Sequence, residues 1–168
     1  MTEVEPNEAA SDETGSEPEG AVIVAAVDTS GNASRVIEAA TRLARRNWHG
    51  AQLNILHVYK TGMFDRAPPG GGHANELHEE ARHYLDHHLR MAKRQCSAPV
   101  TGHFAVGDPV DEIVRLSDSV SADVILIGVH DASGLERLLL GSVAENVVRR
   151  ARCSVFVVRN KQRPPKRA

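Results

Sequence analysis

Five short apolar runs, each separated from the next by a stretch of helical periodicity, constrain this chain more than any other feature. The runs are AVIVAAV (21–27), QLNILHV (52–58), VTGHFAV (100–106), DVILIGV (123–129) and SVFVV (154–158). A strand that is apolar on both faces must be covered on both, which is the situation of a strand inside a parallel sheet. QLNILHV alternates apolar and polar before ending on Val58, and VTGHFAV is β-prone but interrupted at Gly102. Between the runs, apolar residues recur at three- and four-residue spacing. Val36, Ala40, Leu43, Ala44 and Trp48 share one face of a helix expected over 33–48. Leu77, Ala81, Tyr84, Leu85, His88 and Ala92 do the same over 74–95. Asp108-Pro109 opens a third helix, because Asp caps and Pro fits a first turn whose N–H has no helical partner anyway. Val110, Ile113, Val114 and Ser117 follow on its inner face. The fourth helix is expected to begin near Ser142, with Ser142 and Glu145 spaced as a capping box and Val143, Val147, Val148 and Ala151 facing inward. The order βαβαβαβαβ implies right-handed crossovers and an open parallel sheet with helices on both faces, an α/β fold.

Charge divides the 168 residues into three parts. Residues 1–20 carry seven acids and no base, and 159–168 carry five bases and no acid. The body between them is balanced, with fifteen of each sign. We therefore expect a disordered acidic tail over 1–20, one folded domain over 21–158 and a flexible basic tail over 159–168. A neutral body argues against a nucleic-acid binder. The 59–73 connection contains MFDRAPPGGGH and is expected to be a mobile flap near the sheet edge. No apolar run approaches the roughly 18–20 residues of a membrane span. The acidic, polar start does not have the character of a secretory signal. Cys96 and Cys153 form no CxxC pair and fit two reduced thiols. A cytoplasmic protein is the expectation.

In open α/β sheets, ligands sit beyond the carboxyl ends of the strands, where the strand order reverses. Asp28 follows the first strand, in VDTSGNAS. A carboxylate there can accept from a ribose or an adenine edge, or it can cap the helix starting near Ala33. After the fourth strand come Gly128-Val129-His130-Asp131 and then Gly141-Ser142. Glycines admit a ligand close to the backbone, and the free N–H groups of a helix N-terminus suit phosphate oxygens. The alternative is a loop in which Ser142 only caps its own helix. His83 and His87 stand at i and i+4, with Glu79 one turn earlier, a spacing able to chelate zinc or nickel. A solvated helix face with His88 turned into the core accounts for the same residues, and we expect no metal site. There is no GxxxxGK[ST] loop and no GxSxG elbow, and the body holds only Lys60 and Lys93. No catalytic residues are assigned, and activity beyond slow ATP hydrolysis is not expected.

The stretch GVHDASGLERLLLGSVAENVVRRARCSVFVV resembles the C-terminal half of the universal stress protein family, with its G-x2-G-x9-G-[S/T] loop and its A-x-C-x-V-x-V-V ending. VDTSGNAS, LHV at 56–58 and GDP at 107–109 also match, so the resemblance covers about 21–158. It implies a five-stranded sheet of order 3-2-1-4-5, a stress-response homodimer paired through Ser154 to Val158, and an ATP-type ligand, with Mg2+ as a companion. By position, Asp28 resembles the residue facing adenosine and Val58 the one whose backbone meets adenine. Gly128, Gly141, Ser142 and Val143 resemble the ribose and phosphate contacts, and Gly107 the glycine after strand three; His130 is either a phosphate contact or an exposed loop residue. One position departs from the motif, since Asp131 replaces its second glycine. A carboxylate 4–6 Å from a phosphate costs about 3 kcal/mol per charge pair at an effective dielectric near 20. A magnesium ion reverses that sign. Two readings follow: a nucleotide-binding stress protein, or an interaction protein of the same fold without nucleotide.

Overall fold

The computed structural model describes residues 20–29, 31–47, 50–60, 72–129 and 141–159. Its elements are β1 (Val22–Val27), α1 (Ala33–Asn47), β2 (Gln52–Tyr59), α2 (Gly72–Gln95), β3 (Val100–Val106), α3 (Pro109–Ser119), β4 (Val124–Gly128), α4 (Ser142–Arg150) and β5 (Ser154–Val158). The strands form one parallel sheet in the order β3-β2-β1-β4-β5, as the resemblance implied. From β1 the chain steps outward to β2 and β3, then returns across the sheet to β4 and β5. The order therefore reverses between β1 and β4.

The sheet's two faces build two cores, because successive side chains of a strand point opposite ways. Ile23, Ala25, Val27, Leu53 and Ile55 pack against α1 and α2 through Val36, Ile37, Ala40, Leu85 and Ala92. Val24, Ala26, Leu56, Ile125 and Ile127 pack against α3 and α4 through Val110, Ile113, Ala144 and Val147. Asn54 and His57, polar residues of QLNILHV, are buried as well, and each is paired. Asn54 Oδ1 lies 2.8 Å from His103 Nε2, and His57 Nδ1 lies 3.0 Å from the Val27 carbonyl. The interruption at Gly102 is a packing device: a Cβ there would stand 2.5 Å from Leu89 Cδ1 of α2.

α3 begins as its sequence suggests. The Asp108 carboxylate accepts from the N–H groups of Val110 at 2.9 Å and Asp111 at 3.3 Å, with Pro109 in the first turn. Leu116 joins its buried face, whereas Val114 is only partly covered. α4 departs from expectation. Its N-cap is Gly141, whose carbonyl accepts from Glu145 N–H at 3.0 Å, so Ser142 is already the first helical residue. A capping box needs the hydroxyl residue at the cap and the acid three places later; one position of offset removes it. Glu145 instead pairs with Arg149 at 2.9 Å. Ala144 and Val147 are the buried residues of α4, Val143 is half-buried, and Val148 is 47% exposed rather than inward. A helix of nine residues lying over β4 beside α3 covers one narrow stripe, and Val148 is about 100° round from Val147.

Among the described residues no helix is long and apolar enough to cross a membrane. Both expected tails, except Gly20 and Arg159, lie outside the described residues, as do most of the 59–73 connection, Trp48, His130 and Asp131. The side chains of His73, Leu77 and His78 also lie outside them.

Candidate functional site

The carboxyl ends of β1, β2 and β4 open into a cavity of about 500 Å³ at the point where the strand order reverses. That volume falls in the usual range for small-ligand sites. Its inner wall is apolar, made by Ala26, Leu56, Val58, Ile113, Ile127 and Val129. At the mouth, among the described residues, the charged side chains are Asp28 and Lys60. The N-terminus of α4 closes one side with Gly141, Ser142 and Val143. The first N–H groups of a helix have no partner within it, and the aligned peptide dipoles make that end positive. With glycine as the cap, the cap residue itself puts no side chain on them.

Local structure explains how these groups are held. Asp28 is exposed and follows the last residue of β1. The opening of α1 belongs to Asn32, whose carbonyl accepts from Arg35 N–H at 3.0 Å and Val36 N–H at 3.1 Å. The Asn32 carboxamide is buried and donates through Nδ2 to the Val129 carbonyl at 2.7 Å, which ties the exit of β1 to that of β4. Gly128 serves this junction: a Cβ on it would come within 3.1 Å of Val36 Cγ2 and 3.4 Å of Asn32 Cβ. His57, 3% exposed, and Tyr59 line the cavity from β2.

Of the residues singled out in the sequence, Asp28, Val58, Gly128, Gly141, Ser142 and Val143 converge on this one cavity. Gly107 does not line it. Its N–H donates to the Tyr59 carbonyl at 3.0 Å, and Pro109, two residues on, reaches the wall instead. Sequence reading missed Asn32, His57, Tyr59 and Ile113. Asn32 carried a usable signal, an Asn directly ahead of a helix. The others looked like ordinary strand or helix residues.

Among the described residues no group of three His, Cys, Asp or Glu side chains gathers as a metal centre. His83 and His87 are exposed on α2, while His88 is 3% exposed with Nδ1 2.9 Å from the Tyr84 carbonyl. Burial lowers the His88 pKa first, the neighbouring His87 and His57 push it the same way, and the bond to Tyr84 opposes them.

A family model described as the universal stress protein family matches residues 21–159. A universal stress protein of Methanocaldococcus jannaschii is 33% identical over 112 residues, 65% of this chain and 65% of its own length. The chain thus spans just under two-thirds of that relative. A solved universal stress protein in complex with cAMP superposes with a TM-score of 0.64 at 28% identity, over 83% of this chain and 97% of its own. A universal stress protein from Archaeoglobus fulgidus in complex with dAMP does so with a TM-score of 0.61 at 27% identity, over 82% and 95%.

Proposed function

The chain belongs to the universal stress protein family, and from that premise we propose that it binds an adenine nucleotide in the cavity at the carboxyl ends of β1, β2 and β4. The observation that carries this reading is the pairing of an apolar slot with a glycine-capped helix N-terminus across one cavity. The slot suits a purine ring. Asp28 at the mouth suits the ribose hydroxyls, which donate to a carboxylate. The N-terminus of α4 suits phosphate oxygens. Two related structures hold adenylates, one cAMP and one dAMP.

ATP with Mg2+ is the ligand implied by the sequence motifs. The described lining contributes Lys60 as its cation, which suits a monophosphate or cyclic phosphate at least as well. The competing reading, a stress protein acting without nucleotide, drew on a Ser142–Glu145 cap that α4 does not form, and on Asp131. We propose binding rather than turnover as the activity, in a cytoplasmic homodimer. The dimer is supported by β5, an edge strand whose Phe156 is 55% exposed.

The test is thermal unfolding with AMP, cAMP, ADP and ATP, each with and without Mg2+. A ligand at a hundred times its Kd stabilises by about 2.7 kcal/mol. For a chain of this size that raises Tm by about 5–10 °C. We expect such a rise with at least one adenine nucleotide and its loss in Asp28→Ala. No rise with any of them at millimolar concentration overturns the reading.

A further inference from the structure

The turn that carries Asp28 is braced by α2, none of whose described residues lines the cavity. Asp28 lies one residue beyond the last ladder pair of β1 with β2, Val27 opposite His57, and two beyond the last pair with β4, Ala26 opposite Ile127. The sheet therefore stops orienting the backbone just before the residue whose carboxylate matters. Side chains take over from there. The Tyr84 hydroxyl of α2 donates to the Asp28 backbone carbonyl. The His57 ring is held to the preceding carbonyl, that of Val27, at 3.0 Å. A carbonyl only accepts, so this contact places the hydrogen of His57 on Nδ1. Asn32 closes the far end of the same turn against Val129.

Tyr84 is itself fixed. Its ring centroid lies 5.3 Å from that of His57, tilted by 50°, and 4.4 Å from that of His88, tilted by 45°. His88 Nδ1 in turn meets the Tyr84 carbonyl at 2.9 Å. Burial and the Asp28 carboxylate push the Tyr84 pKa up to about 12. The hydroxyl thus keeps its proton, and its donor role, throughout the neutral range.

We propose that Tyr84 is a positioning residue of the nucleotide site: its hydroxyl, anchored by the tilted ring cluster of His57, Tyr84 and His88, holds the end of β1 so that Asp28 meets the ligand. The inference rests on the reading of the cavity given above. The ring alone would satisfy the packing, and only the hydroxyl makes the tie, so Tyr84→Phe isolates it.

The experiment measures AMP affinity by calorimetry for the wild type, Tyr84→Phe, Asp28→Asn and the double variant. It adds amide hydrogen exchange over 28–32 in the ligand-free proteins. Tyr84→Phe should keep its ligand-free Tm within about 3 °C. It should bind AMP about 5–10-fold more weakly, the scale of one hydrogen bond, and exchange faster over 28–32. The double variant should lose no more affinity than Asp28→Asn alone, because Tyr84 acts through Asp28. Wild-type affinity in Tyr84→Phe, or losses that add in the double variant, overturns the proposal. A wild type that binds no AMP moves the measurement to the adenine nucleotide it does bind, and one that binds none of the four overturns the cavity reading instead. Exchange then decides the brace, and unchanged protection over 28–32 in Tyr84→Phe refutes it.

Discussion

His88 shows at the residue scale how burial and charge set a working range for the fold. Its spacing alone places it on the inner face of its helix, and it is buried there against Tyr84. Burial lowers its pKa in the folded chain, as it does that of His103. The unfolded chain keeps an ordinary value near 6.5. As pH falls through that value, the unfolded state takes up protons before the folded state does, so stability falls. It levels off once the folded-state values are passed. We expect Tm to be flat from about pH 7 to 8 and to drop as pH falls below about 6.5. His88→Gln should reduce that drop in melts at pH 7.5, 6.0 and 5.0. An identical pH slope in both proteins would rule out His88 as a source.

At the scale of elements, α3 and α4 make a natural contrast. Asp108 caps α3 through two backbone N–H groups. Asp108→Ala should therefore cost about 1 kcal/mol, lowering Tm by about 2–4 °C. Ser142 lies inside α4 and does not cap it, so Ser142→Ala should leave ligand-free stability within about 0.5 kcal/mol. A Ser142→Ala loss as large as that of Asp108→Ala would restore the capping role. The Asp-Pro pair allowed one register for α3, because Pro cannot sit deeper in a helix. Gly141 and Ser142 are both able to precede a helix. The choice between them depended on the direction from which the chain enters α4, which no local pattern specifies.

The whole molecule presents an open parallel sheet with two edges, β3 and β5. Phe156 on β5 is 55% exposed, an aromatic ring on an edge strand that a second copy would cover. We expect a dimer by light scattering in the wild type and a folded monomer in Phe156→Glu. An exposed residue can be replaced without opening the core, so a lost fold is not the expected result. A wild-type monomer, or an unaltered Phe156→Glu dimer, would place the association surface elsewhere or remove it.

Legibility in this protein followed sequence distance. The periods of two and of 3.6 residues are local, and they sufficed for nine elements, their order and a parallel α/β sheet; the family motifs supplied the strand order. The short motifs around Asp28 and Gly141-Ser142 likewise pointed to groups that meet in one cavity. By itself, then, the sequence determined the architecture and pointed to residues that share one cavity. Tertiary structure alone decided the register of α4, the exposure of Val148 and the displacement of Gly107 from the cavity wall. It also decided the supports of the site, Asn32 with Val129 and Tyr84 with Asp28, partners 97 and 56 residues apart. Such pairs leave no periodic trace, because each side chain answers to its neighbours in space and not to those in the chain.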